Sequence, residues 1–155
     1  MTDLINDPAG ACRRFLVEQA LPLWATAGWD SARGGFVERL GGDGRPDTDA
    51  PRRLRVQSRQ IYCFAKAAQF GWLPEARKIA FKGLDYMLNT MRSPDGQPGF
   101  VRVVGADRAV ADPLRDTYDH AFVLLALANL YQLGQDAQVR AEIDQTLIFL
   151  DSQLR

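Results

Sequence analysis

Four things are scarce in this chain of 155 residues: cysteine, with two, histidine, with one, net charge, and long apolar runs. Nineteen Lys and Arg cancel nineteen Asp and Glu, which removes the one-signed surface that grips nucleic acid. The longest apolar run, Ala121 to Ala128, is 8 residues, too short for a hydrocarbon layer of about 30 Å, so no membrane partner is expected. Met1 to Asp7 is acidic and has no apolar core, so it does not read as a secretion signal. Cys12 and Cys63 lie far apart in helical sequence and make neither a disulfide framework nor a zinc site. They read as buried free thiols of a reducing compartment, which predicts a cytoplasmic protein. The Gly41-Gly42-Asp43-Gly44 run lacks the strand-to-helix context of a phosphate loop and reads as a turn.

What is present is an ordinary globular composition, 46% hydrophobic and 25% charged, carrying one motif twice. Gly34-Gly35-Phe36 leads to the helical segment Arg55 to Tyr62, and Pro98-Gly99-Phe100 leads to Thr117 to Phe122. Phe36 and Phe100 are 64 residues apart, Gly71 and Gly134 are 63 apart. That spacing predicts stacked helix pairs, whose cores are buried only against their neighbours.

Five helices are expected. The first covers Pro8 to Thr26, with Phe15, Leu16, Gln19 and Leu23 inward and a kink at Pro22. Phe36 to Leu40 alternates like a short strand, with a hairpin turn at Asp43-Gly44. The second helix runs from Arg52 to Phe70 and stops at Gly71. Leu73-Pro74-Glu75 opens the third, whose apolar stripe is Ala76, Ile79, Ala80, Gly83, Leu84, Met87 and Met91. Phe100 to Val104 reads as a second strand. The fourth helix, Leu114 to Leu133, is apolar nearly all round and should be covered on most sides. The fifth, Ala137 to Gln153, turns Val139, Ile143, Leu147, Leu150 and Leu154 to one side. Apolar inner helices alternating with amphipathic outer ones predict an all-α toroid of helical hairpins with short β-hairpin loops. An open stack of about two and a half units leaves apolar edges, which predicts self-association into a homo-oligomer.

Four segments in order carry a resemblance: Gly34 to Glu38, Asp43 to Pro46, Arg55 to Tyr62, and Tyr118 to Ala126. With Glu18 to Trp24 they resemble the N-acylglucosamine 2-epimerase family, which includes mannose isomerases and mannose-6-phosphate isomerase-like proteins. The resemblance implies an (α/α)6 barrel more than twice this length, of which residues 1–155 read as one domain, the N-terminal part. It implies 2-epimerisation or aldose–ketose isomerisation through an enediol, on a sugar or sugar phosphate, without a redox cofactor or essential metal. The family's paired histidines lie in later helices, which leaves His120 as the catalytic candidate in this chain.

Arg59 matches the arginine that the family places at the mouth of an inner helix, and Arg55, four residues earlier, shares its face. Together they could hold sugar oxygens, a phosphate or a developing enediolate; equally, they could balance Asp43, Asp47 and Asp49 in the preceding loop. Tyr118 stands where the family has a tyrosine against the sugar. His120 could orient substrate, move a proton, or only satisfy a buried hydrogen bond. Asp116 and Asp119 read as helix caps or dipole partners. Trp24, Trp29 and Trp72 read as core, with sugar stacking as the alternative. Two other functions remain open: a non-catalytic helical-repeat module that binds sugars or partners, and a glycoside hydrolase. The last needs two carboxylates about 5 to 9.5 Å apart, and Glu38 and Asp119 are the conceivable pair.

Overall fold

The computed structural model describes residues 7–153. The acidic opening before Asp7, and Leu154, expected on the inward side of the fifth helix, lie outside the described residues. Helix α1 begins where Asp7 Oδ1 accepts the Gly10 N–H at 2.9 Å and Pro8 takes the first turn. There its missing N–H costs nothing. The helix runs in three consecutive pieces, Pro8–Phe15, a π-helical turn Leu16–Ala20, and Leu21–Thr26. Pro22 cannot donate to the carbonyl four residues back, and the turn before it widens, with the Leu21 N–H reaching Leu16 O.

The inward face differs from the expected one both ahead of that widening and beyond it. A π turn spends one residue more than an α turn, so a stripe counted from Phe15 is rotated by about 100° beyond it. Phe15 (55%), Leu16 (39%) and Leu23 (41%) face outward, whereas Leu21 is buried and Trp24 and Ala25 pack on the core. Both cysteines are exposed rather than buried. On α2 the packed positions are Leu54, Gln57, Ser58, Ile61, Phe64, Ala65 and Ala67, a stripe that leaves Cys63 outside.

Helices α2 (Leu54–Gln69), α3 (Ala76–Thr90), α4 (Thr117–Tyr131) and α5 (Ala137–Gln153) complete the helical set. α2 packs on α4, α3 backs α2, and α5 backs α4, the inner–outer alternation of an α/α toroid. The stripe read for α3 is the buried one, with Ile79 at its edge. On α5 the buried residues are Val139, Thr146 and Phe149, and Leu147 is exposed. α4 is less covered than expected, since Ala121, Leu125 and Ala128 form one open side.

The end of α2 shows why a glycine is needed. Trp72 N–H reaches Ala67 O at 2.9 Å and Gly71 N–H reaches Ala68 O at 3.2 Å, with Gly71 at φ 65°. This double closure places Gly71 in the left-handed region. A side chain there meets nothing within 4 Å, so Gly71→Ala should cost about 1 kcal/mol from backbone strain alone, read as a lowered urea midpoint. In the second repeat the left-handed residue is Gln135 rather than Gly134.

The small sheet departs most from the sequence expectation. Instead of two separate hairpins, β1 (Arg52–Arg53), β2 (Val103–Val104) and β3 (Val110–Asp112) form one antiparallel sheet in that order. The strands expected from Phe36 to Leu40 and at Phe100 are isolated bridges, Trp29 to Phe36, Leu40 to Pro46 and Arg92 to Phe100. Pairing of β1 with β2 ties the start of α2 to the segment before α4.

Candidate functional site

The β1–β2 pairing sets the N-terminal ends of α2 and α4 side by side, and the Leu54 N–H donates to Arg102 O at 2.8 Å. A 63-residue offset then relates the two inner helices position by position. Arg53 and Asp116 are the N-caps, Arg55 corresponds to Tyr118, Gln57 to His120, and Arg59 to Phe122.

Three of the expected site residues come together here. Arg59 Nη2 donates to Tyr118 Oη at 2.9 Å across the helix pair. The Arg59 guanidinium carbon lies 4.1 Å from the centroid of the Phe122 ring, and that of Arg55 lies 5.7 Å from the Tyr118 ring. Both are within cation–π range. Tyr118 is 54% exposed and Arg59 is also exposed, so this face is open. The loop acids that might have balanced the arginines have partners of their own: Asp43 with Arg45, Asp47 with Arg39, and Asp49 with Arg33. Among the described residues Arg59 has no carboxylate within ion-pair distance, so a fixed, unpaired guanidinium faces outward beside a phenol.

His120 is placed differently. It is fully buried, Nε2 accepts the Phe100 N–H at 3.1 Å, and Nδ1 donates to Asp116 O at 2.8 Å. The ring stacks on Phe149 with centroids 4.6 Å apart. Gln57 does the same work one repeat earlier, accepting the Phe36 N–H at 2.9 Å and donating to Phe36 O at 2.7 Å. His120 is therefore a clamp on the Gly-Phe turn, and both ring nitrogens are engaged. Burial depresses its pKa below the ordinary histidine value, against the pull of the Asp116 carbonyl.

Beneath the open face lies a charge network. Asp116 caps α4 by accepting the Asp119 N–H at 2.7 Å and is bonded by Arg102. Burial works to raise the Asp116 pKa, but these bonds outweigh it and hold the carboxyl below its ordinary range. Asp119 goes the other way: burial and the neighbouring Asp116 push its pKa up. Its oxygens are 3.7 Å from Arg55 Nη1 and 3.6 Å from Arg102 Nε. Of the two expected roles, Asp116 takes the cap and Asp119, in the first turn of α4, stands as the dipole partner. Arg102 and Phe122 were not singled out from the sequence. The 63-residue offset that pairs Phe122 with Arg59, and the alternation that sets Arg102 between Val101 and Val103, were the available signals.

The remaining candidates have structural contacts. Trp24, Trp29 and Trp72 pack on the core, Trp29 edge-on to Phe36. Glu38 is engaged by the Arg53 side chain and backbone N–H, which leaves it unsuited as a glycosidase acid. Arg52 is buried against Asp30. Among the described residues no three His, Cys, Asp or Glu side chains are grouped to hold a metal ion, and no helix is long and apolar enough to cross a membrane.

Comparison with known proteins bears on the family and the fold. A family model described as N-acylglucosamine 2-epimerase (GlcNAc 2-epimerase) matches residues 34–155. A mannose-6-phosphate isomerase of Rhizobium meliloti is 42% identical over 129 residues, which is 83% of this chain and 33% of that protein. The chain thus spans about a third of the length of that curated relative. The crystal structure of a D-mannose isomerase superposes with a TM-score of 0.80 at 25% identity, over 92% of this chain and 35% of the other. A cellobiose 2-epimerase from Bacillus thermoamylovorans superposes with a TM-score of 0.85 at 21% identity, over 95% of this chain and 37% of the other.

Proposed function

The chain belongs to the N-acylglucosamine 2-epimerase family, and from that premise we propose that it supplies one wall of a sugar site for 2-epimerisation or aldose–ketose isomerisation. In such a reaction a base removes the proton beside the sugar carbonyl, and the electron pair moves onto the carbonyl oxygen as an enediolate. The proton then returns to the other face of the same carbon, or to the neighbouring carbon. Charge develops on oxygen, so a prearranged guanidinium contributes most when it is fixed before the reaction starts.

The observation that carries the reading is Arg59, held at 2.9 Å by Tyr118 and laid on Phe122, with no carboxylate against it among the described residues. Arg59 would bond substrate oxygens, Tyr118 would offer a hydroxyl, and Arg55 would extend the cationic edge. In this proposal His120 frames the site rather than exchanging protons, and the proton-transferring groups belong to the part of such proteins beyond the third matched here. D-mannose and mannose 6-phosphate are the substrates to try, by the names of the relatives, in a cytoplasmic setting. The engagement of both His120 nitrogens also favours a second reading, a sugar-binding module that performs no chemistry.

The two readings separate in heavy water when these residues are joined to the remaining two thirds of the relatives' length. Exchange of the C2 proton of D-mannose for deuterium, followed by NMR, marks enediol chemistry, whereas binding without exchange marks the module. Arg59→Ala should weaken mannose binding at least about tenfold, the scale of one charge-assisted hydrogen bond, because the removed group is charged. As a surface change it should leave Tm nearly unaltered. A large fall in Tm with unchanged binding would make Arg59 structural.

A further inference from the structure

Asp119 is buried in the first turn of α4, where the helix dipole favours its charge but no donor bonds it directly. Only 1% of the residue is exposed, and neither carboxylate oxygen has a hydrogen-bond partner among the described residues. The helix start is already capped by Asp116. The corresponding position in the other inner helix holds Val56, so the repeat accepts an apolar side chain there. The two nearest guanidinium groups stop at 3.6 and 3.7 Å. A buried carboxylate so poorly bonded contributes little to folding, because taking it out of water costs more than distant partners return.

Its effect runs outward instead. Arg102 is also held by Asp112 and Asp116, whereas Asp119 is the one carboxylate paired with Arg55 among the described residues. Arg55 in turn covers the Tyr118 ring, and Tyr118 is bonded to Arg59 on Phe122. A continuous array therefore leads from one buried carboxylate to the open face.

We propose that Asp119 is a positioning residue: its buried carboxylate draws Arg55 inward and so orders the exposed Tyr118–Arg59 face against which a sugar rests. The part concerning sugar rests on the function proposed above; the ordering of the face does not. Arg55 is half-buried and has no second counter-charge among the described residues, so it is free to turn to solvent once Asp119 is neutral. Such a residue stabilises the site at the expense of the fold, a trade met at functional positions.

The test is Asp119→Asn in the 155-residue chain, which keeps the shape and removes the charge. Three quantities are read: Tm, the ¹⁵N relaxation of the Arg55 and Arg59 side chains, and D-mannose affinity by titration. Tm should hold or rise, the Arg55 Nε should become mobile on the nanosecond scale, and affinity should fall about fivefold or more. In an Arg55→Gln background the same change should add nothing to mobility or affinity, because the array is already cut. A clear fall in Tm, with Arg55 as ordered as before, would overturn the proposal and make Asp119 a fold residue. If the unaltered chain binds no mannose while Asp119→Asn still loosens Arg55, the sugar-site reading fails and the positioning role stands.

Discussion

His120→Ala should destabilise the protein by about 3–5 kcal/mol, the cost of emptying a buried ring site, and His120→Gln should retain most of that stability. The alanine variant removes a ring that contacts Phe100 and Phe149 and leaves the buried Phe100 N–H without an acceptor, itself a loss of about 1–3 kcal/mol. Glutamine is the informative replacement because the protein already uses it. At the corresponding place Gln57 bonds both the N–H and the carbonyl of Phe36, and the offset from Gln57 to His120 matches that between the inner helices. Urea titration of the three proteins measures this directly. Equal losses in both variants would mean that the clamp is not shared between the repeats.

The same contact sets a pH dependence. Nε2 must stay unprotonated to accept from Phe100, and burial keeps the native pKa below the ordinary 6.5. As pH falls through about 6.5 the unfolded chain gains a proton that the native ring refuses, so stability declines by at most about 1.4 kcal/mol per pH unit until the native pKa is reached. Asp30, Asp47, Asp95 and Asp116, whose values are lowered from 3.8, lose their contribution only as pH falls further. Asp119 opposes them, since a raised carboxyl costs stability as pH rises from 3.8 through its native pKa. His120→Gln keeps these carboxylates, so the difference between the two stability curves reports the single histidine.

The helices were legible because their evidence is local. The stripe from Ala76 to Met91 needs nothing beyond its own periodicity, and Arg55 with Arg59 on one face follows from a spacing of four. α1 was legible in extent but not in facing: Phe15 and Leu16 already point outward at the π turn, and its extra residue rotates Leu23 beyond it. β1 is two residues long and pairs with Val103–Val104 about fifty residues on, so no local pattern announces it. The site divides the same way. That Tyr118 meets Arg59, and that His120 turns inward while Tyr118 turns out, depends on how the repeats stack. The offset between the Gly-Phe motifs was visible, but applying it residue by residue requires knowing that the inner helices lie in contact.

Asp30→Ala should lower stability by about 3–5 kcal/mol, because it strands a buried guanidinium. Arg52 opens β1 with a side chain 1% exposed, its Nη2 2.6 Å from Asp30 Oδ2 and its Nη1 on Gly34 O and, at 3.2 Å, Tyr86 Oη. Asp30 also accepts the Ala32 and Arg33 N–H groups at 3.0 and 2.9 Å. Burial works to raise its pKa, and these bonds outweigh it. For a chain of this size the loss amounts to about 10 °C in Tm. Asp30→Asn keeps acceptors for the turn and removes only the charge, so it should fall between the two proteins. A double replacement, Asp30→Leu with Arg52→Met, should recover part of the loss, since an apolar pair can fill the space of a buried ion pair. Recovery should stay incomplete because the turn N–H groups lose their acceptor. The effect should also reach the open face, because Arg52 anchors the strand that sets Leu54 on Arg102 and so aligns α2 with α4. ¹⁵N relaxation of the Arg59 side chain in Asp30→Ala, measured well below its melting point, should therefore show greater mobility. A loss under about 1 kcal/mol would mean that the Arg52 guanidinium reaches water, and the anchoring of β1 would have to come from the sheet alone.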